Sequence, residues 1–162
     1  MSSTSGRGQI RRIEGEADGE GLRLGIAVAS WNQSITDPML DGALRRCNEL
    51  GVSDITIMKV PGALELPIAA QALAEAGMDA VIAIGVVVKG ETDHYEIVVR
   101  ESTSGISRVA LDTGTPVANA ILAVHDYSLA VERSGENDAN KGVEAADAAV
   151  LIGTALRQLR GS

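Results

Sequence analysis

Ala80-Val81-Ile82-Ala83-Ile84-Gly85-Val86-Val87-Val88 carries no polar side chain, and it runs straight into Lys89-Gly90-Glu91-Thr92-Asp93-His94. A strand with one wet face would alternate polar and apolar residues. An unbroken apolar run instead predicts a strand buried on both faces, as in a parallel sheet held between two layers of helices. Further apolar runs at 22–29, 55–60 and 117–124 are separated by longer amphipathic stretches. The alternation predicts an α/β domain with four parallel strands and helices on both faces of the sheet.

The intervening segments read as helices. The first spans about 33–50 and stops at Gly51, with Pro38 tolerated because it falls in the first turn. The second covers 64–75 and stops at Gly77, and the third begins near Thr92 and extends towards Leu111, weakened in its middle by Gly105. Gly114 and Pro116 open the last strand. A short helix follows at 127–134, and Asn140 caps a final helix in which Ala149, Ile152, Leu156 and Leu159 share one face. Residues 1–21, rich in Ser, Gly, Arg and Glu, read as an arm that is flexible or ordered by a neighbouring subunit, and residues 22–162 as a single domain.

Composition narrows the function. A chain of 162 residues is long enough for one core, yet aromatic residues make up 2 % and Phe is absent, so aliphatic side chains must fill it. Trp31, Tyr95 and Tyr127 are therefore conspicuous. A formal charge of −8 opposes binding to nucleic acid or an anionic membrane, so an anionic ligand requires a local basic pocket. Neither a membrane-length apolar segment nor a secretory leader pattern is evident, which makes the cytoplasm the expected location. Cys47 falls on the helical stripe Ile35, Met39, Ala43, Cys47, Leu50 and reads as a buried structural thiol. Two separated histidines and one cysteine lack metal-ligand spacing, and no metal site is expected.

In an open parallel sheet, ligands lie beyond the carboxyl ends of the strands, where the winding direction reverses. With strand order 2-1-3-4 that point falls between the first and third strands, and it brings Ser30-Trp31-Asn32 to Lys89-Gly90-Glu91-Thr92-Asp93-His94. Trp31 lies off the apolar stripe of the following helix; its indole either presents a flat face to a planar heterocycle or caps the sheet edge. Asn32 either joins that site or caps the helix. The start of the third helix offers backbone N–H groups to an anion, although neither a dinucleotide-binding glycine pattern nor a Walker loop is present. His94 is placed for proton transfer near neutrality, or is a solvated histidine at a helix start. Arg133 and Lys141 flank Ser134-Gly135-Glu136-Asn137-Asp138-Ala139-Asn140 and either serve an anion or are ordinary helix-end charges, whereas His125 reads as structural.

Several motifs recur in a definite order: Ile13-Glu14-Gly15, Trp31-Asn32, Gly42-Ala43, Val60-Pro61-Gly62-Ala63-Leu64-Glu65-Leu66-Pro67, the stretch 85–96, Glu101, Pro116-Val117, Glu132-Arg133-Ser134-Gly135 and Asn140-Lys141-Gly142-Val143-Glu144-Ala145-Ala146. In order and spacing they resemble the lumazine synthase family of riboflavin biosynthesis. The resemblance implies a three-layer, flavodoxin-like sandwich with sheet order 2-1-3-4, and a homo-oligomer built from pentamers with active sites between subunits. It also implies a transferase that condenses 5-amino-6-(D-ribitylamino)uracil with 3,4-dihydroxy-2-butanone 4-phosphate to 6,7-dimethyl-8-ribityllumazine, releasing phosphate and water, with no cofactor or metal. Carried over by motif, His94 transfers protons and Trp31, beside Asn32, stacks on the pyrimidine. Glu65, beside Ala63 and Leu64, holds ribityl hydroxyls, and Val86, Val87 and Val88 line the substrate. Gly90, Glu91 and Thr92 form the phosphate-binding helix start, joined by Arg133 of the adjoining subunit with Lys141 at a neighbouring basic position.

Two positions depart from the family pattern. Ala118-Asn119-Ala120 stands where many members have Phe-Gly, so Asn119 replaces one aromatic wall, and Lys89 stands where Arg is common. The loss of that wall motivates a rival reading, a flavin or lumazine carrier or shell protein with little turnover. An electron-transfer or signalling module is disfavoured, because the first strand is not followed by a phosphate-binding Ser/Thr loop and no receiver-type acidic cluster occurs. Pentamer, decamer and larger shell are all compatible with the sequence.

Overall fold

Strands and helices alternate as β1 (Arg23–Ala29), α1 (Gln33–Glu49), β2 (Asp54–Val60), α2 (Leu66–Glu75), β3 (Ala80–Val88), α3 (His94–Thr113), β4 (Val117–Val124), α4 (Tyr127–Glu132) and α5 (Lys141–Arg160) in the computed structural model, which describes residues 8–91 and 93–161. The strands are parallel in the order β2-β1-β3-β4. Leu24, Ile26, Val28, Ile82 and Ile84 pack against the α1 and α5 layer, while Ala27, Val81, Ala83, Val87 and Ile121 pack against α2 and α3. This is the three-layer, flavodoxin-like arrangement expected. Each fully buried aliphatic side chain contributes about 1.5–3 kcal/mol, so a core without Phe is built from many small increments.

β2 departs from the expectation of cover on both faces. Of its seven residues only Val60 is buried, and Ile57 and Met58 are 43 % and 39 % exposed. Asp54, Thr56 and Lys59 interrupt the apolar run that is unbroken in β3, and the strand lies at the sheet edge. Its outer side carries a row of backbone donors and acceptors available to another strand.

The helices follow the expected positions, with differences that have local causes. The start of the second helix is split: a single 3₁₀ turn at Ala63–Glu65 precedes α2, which takes Pro67 in its first turn. α3 begins at His94 and runs unbroken through Gly105 to a left-handed Gly114. Gly105 does not weaken α3 but admits the Pro67 ring, which lies where a Cβ would point. α4 ends at Glu132, short of the expected 134. Cys47 is buried as expected, and burial together with Asp147 raises its pKa to about 11.

Of the face of α5 that Ala149, Ile152, Leu156 and Leu159 share, Ala149 is buried and Leu156 half-buried. Ile152 and Leu159 are exposed, and the buried residues are Gly142, Ala145, Ala146, Ala149, Val150, Gly153 and Thr154. The helix approaches α1 and the sheet so closely that small residues are needed: a Cβ on Gly142 would strike the Met39 carbonyl. The last turns of α5 also support the arm, which covers Thr154. Gln158 donates its amide to the Glu14 carbonyl at 2.8 Å, Glu16 N–H donates to Thr154 Oγ1 at 2.8 Å, and Arg11 donates to the Gln158 carbonyl at 3.0 Å.

Asn140 ties the last third of the chain together. Only 1 % exposed, it caps α5 by accepting from Gly142 and Val143 N–H at 2.8 and 3.3 Å. Its Nδ2 donates to the carbonyls of Ser134 and Gly135 at 3.0 and 2.9 Å, and more weakly to that of Pro38 in α1 at 3.4 Å. Replacing it removes a helix cap and strands buried carbonyls. Asn140→Ala should therefore lower stability by about 3 kcal/mol, while Asn140→Asp keeps the cap and loses less. Urea titration, read as a shift in midpoint at constant slope, measures both.

Candidate active site

The carboxyl ends of β1 and β3 lie side by side where the chain reverses its winding, and the loops that leave them form a crevice. Beyond β1, Ser30 N–H donates to the Val60 carbonyl at 2.7 Å and Trp31 N–H to the Pro61 carbonyl at 2.9 Å, extending the pairing with β2 past the strand end. Asn32 then turns into α1 with φ 60° and ψ 47°, a left-handed conformation that Asn tolerates better than most residues. Its side chain makes no capping bond, so helix capping does not explain it. The sharp turn leaves Trp31 66 % exposed, with its indole lying across Gly62.

A cavity of about 330 Å³ opens there. Trp31 and Asn32 line it together with Ala63, Leu64 and Glu65, facing Val86, Val87 and Val88 at the end of β3 and His94 at the start of α3. One carboxylate oxygen of Glu65 accepts the Gly62 N–H at 2.9 Å. The crevice thus combines aliphatic walls with an indole face, a carboxylate and an imidazole. That set suits a planar heterocycle with hydroxyl substituents and a proton to be moved.

Ala29, Gly62 and Val98 also line the cavity without having been singled out in the sequence. Signals for all three were present: Ala29 ends a strand, Gly62 lies inside a quoted motif, and Val98 follows His94 by one helical turn. The remaining candidates lie elsewhere. Gly90 and Glu91 are exposed in the loop before α3 and outside the cavity lining, and Thr92 lies outside the described residues. Asn119, in register with Ala83, sits well before the end of β4, and its Oδ1 accepts the Ile121 N–H at 2.8 Å. Arg133 is exposed beyond α4, and Lys141 donates its N–H to the Arg133 carbonyl at 2.9 Å and its Nζ to Glu144 at 3.0 Å. The chain does not bring these three to its own cavity.

Two side-chain contacts brace the surroundings. Tyr95 and His125 meet edge to face at 5.8 Å, joining the first turn of α3 to the end of β4, in keeping with a structural His125. Ser34 and Tyr127 share a hydroxyl hydrogen bond that links the first turn of α1 to α4. Among the described residues no three His, Cys, Asp or Glu side chains converge as metal ligands would.

Comparison with known proteins agrees with this geometry. The family model described as 6,7-dimethyl-8-ribityllumazine synthase matches residues 21–157. A protein of that name from Mycolicibacterium vanbaalenii is 45 % identical over 88 % of this chain and 91 % of its own. One from Thermococcus kodakarensis is 40 % identical over 94 % and 97 %, and one from Leifsonia xyli subsp. xyli is 42 % identical over 99 % and 100 %.

With Trp31 the sole tryptophan, its fluorescence reports directly on the cavity. A lumazine or flavin titrated into the protein should quench it, and Trp31→Ala should weaken that binding by about 1 kcal/mol for stacking, plus the apolar area lost. Equilibrium titration of both proteins checks this.

Proposed function

The chain belongs to the 6,7-dimethyl-8-ribityllumazine synthase family, and we propose that the crevice between β1 and β3 is where it joins its two substrates. It is a transferase of riboflavin biosynthesis. Its reaction condenses 5-amino-6-(D-ribitylamino)uracil with 3,4-dihydroxy-2-butanone 4-phosphate to 6,7-dimethyl-8-ribityllumazine, with release of phosphate and water. Synthase relatives spanning most of the chain favour turnover over a carrier role without it.

The observation that carries the site assignment is the convergence of Trp31, Glu65 and His94 on one cavity. Trp31 offers its indole to the pyrimidine. Glu65, with one oxygen held by Gly62, turns its carboxylate to the ribityl hydroxyls, and Val86, Val87 and Val88 form the facing wall. The pyrimidine amine attacks the ketone carbon, a C–N bond forms and water leaves. A proton leaves the neighbouring carbon as the phosphate departs with the electron pair of its C–O bond. The resulting enol becomes a carbonyl, which the ribitylamino nitrogen attacks, so that the second C–N bond closes the ring and a second water leaves. His94 accepts the proton shed by the amine and returns one to a departing oxygen. An amine and a ketone already react readily, so holding them together supplies most of what is needed, on the order of 7–11 kcal/mol.

Phosphate falls to the loop of Gly90, Glu91 and Thr92, with a cation to offset the formal charge of −8. Arg133 is that cation, beside Lys141, and because it stands away from the cavity of its own chain it serves the site of an adjoining subunit. The assembly is built from pentamers, with the exposed edge of β2 open to strand addition by a neighbour's arm. Asn119 likewise reaches a ligand only across that interface. Among the described residues no helix is long and apolar enough to cross a membrane, and the assembly works in the cytoplasm.

His94→Ala should reduce kcat at saturating substrate by about 10²–10⁴-fold, because proximity survives its loss. Arg133→Ala should instead raise KM for the phosphorylated ketone at least tenfold, having removed a charge-assisted contact of about 1.5–3 kcal/mol, and spare pyrimidine binding. Steady-state kinetics with each substrate varied separates the two roles. Sedimentation should find the active protein only as an oligomer, and deleting residues 1–20 should weaken that assembly; a fully active monomer would contradict the shared site.

A further inference from the structure

Gly62 has an extended backbone, φ −139° and ψ −175°, which any residue adopts without strain. Its need for glycine therefore does not come from its own conformation. The three heavy atoms nearest to a Cβ built there all belong to Trp31, and Cε3 and Cζ3 would collide with it. Gly25 in β1 contrasts with this, because a Cβ there would meet the core side chains Leu73 and Met78. At Gly62 the absent side chain makes room for a ring that is itself two-thirds exposed.

We propose that Gly62 is a positioning residue for the pyrimidine substrate: its bare α-carbon is the seat on which the Trp31 indole rests, while its N–H holds one oxygen of Glu65. This rests on the site assignment made above. The backbone of Trp31 is anchored by its N–H to the Pro61 carbonyl, so the main chains at 31 and 62 are already held together and the side-chain torsions remain to be set. An exposed indole without a seat would spread over several rotamers, and its stacking would cost the entropy of choosing one. Seated, the ring awaits the substrate in a single orientation. One residue thereby aligns the group that meets the ring and the group that meets the ribityl chain.

Gly62→Ala tests this, since alanine fits the backbone and retains the N–H. In the ligand-free protein the fluorescence anisotropy of Trp31 should fall as the ring is lifted off. KM for the pyrimidine should rise roughly two- to tenfold, the range that loss of an aromatic stack covers, while KM for the phosphorylated ketone stays unchanged. In a Trp31→Ala background the same substitution should have no further effect on KM. If Gly62→Ala alone fails to fold, the Gly62→Ala/Trp31→Ala double variant should fold again. Unchanged anisotropy, an equal loss of pyrimidine affinity in both backgrounds, or a double variant that also fails to fold would each overturn the proposal. Absence of condensation by the unaltered protein would instead strike the functional reading, and the anisotropy measurement would still decide whether Gly62 seats the ring.

Discussion

The parallel pairing of β1 with β3, buried on both faces, is the constraint on which the rest depends. Because both strands are sealed between helix layers, a shift in register by one residue would exchange the two core clusters and expel one of them from its packing. The register is thereby fixed, and with it the height at which Ala29 and Val88 end their strands. The chain winds one way from β1 to β2 and crosses back to reach β3, so the loops after β1 and β3 diverge and leave a crevice. The cavity follows from topology before any functional side chain is chosen.

Within that frame the chemistry is sparse. The crevice contributes an indole, a carboxylate and an imidazole to otherwise aliphatic walls, and the cationic Arg133 lies outside it. Under the reading proposed above, division between two chains would let an acidic protein gather positive charge where an anion docks without carrying a basic face throughout.

What the sequence disclosed and what it withheld divide along physical lines. The strand runs, the helix stops at Gly51 and Gly77, and the meeting of Trp31 with His94 were legible because they depend on local periodicity and on one topological rule. The exposure of β2 was overlooked although its signals were present, since order 2-1-3-4 puts it at the edge and Thr56 and Lys59 break its apolar run. The burial of α5 was read less completely, because its inward face is built mainly of small residues, Gly, Ala and Val, as close approach to Met39 requires at Gly142. Gly62 passed unnoticed because a glycine after a proline reads as a turn, and nothing in the local pattern reveals a ring from residue 31. Asn119 and Arg133 could not be tied to the cavity by periodicity, since each lies remote from it within the chain.

The arm's path along α5 has a bearing on how the polypeptide can be rewired. Arg11 hydrogen-bonds to the carbonyl of Gln158, and Arg157 and Arg160 reach the carbonyls of Glu20 and Gly114, which precede β1 and β4. Residues 11 and 158 are thus neighbours at the amino-terminal side of the sheet, opposite the crevice. A short linker joining them would close the backbone into a ring that could be reopened in a surface loop, a circular permutation that leaves every strand in its place. Peptides or labels attached near either residue would likewise emerge on the side away from the crevice.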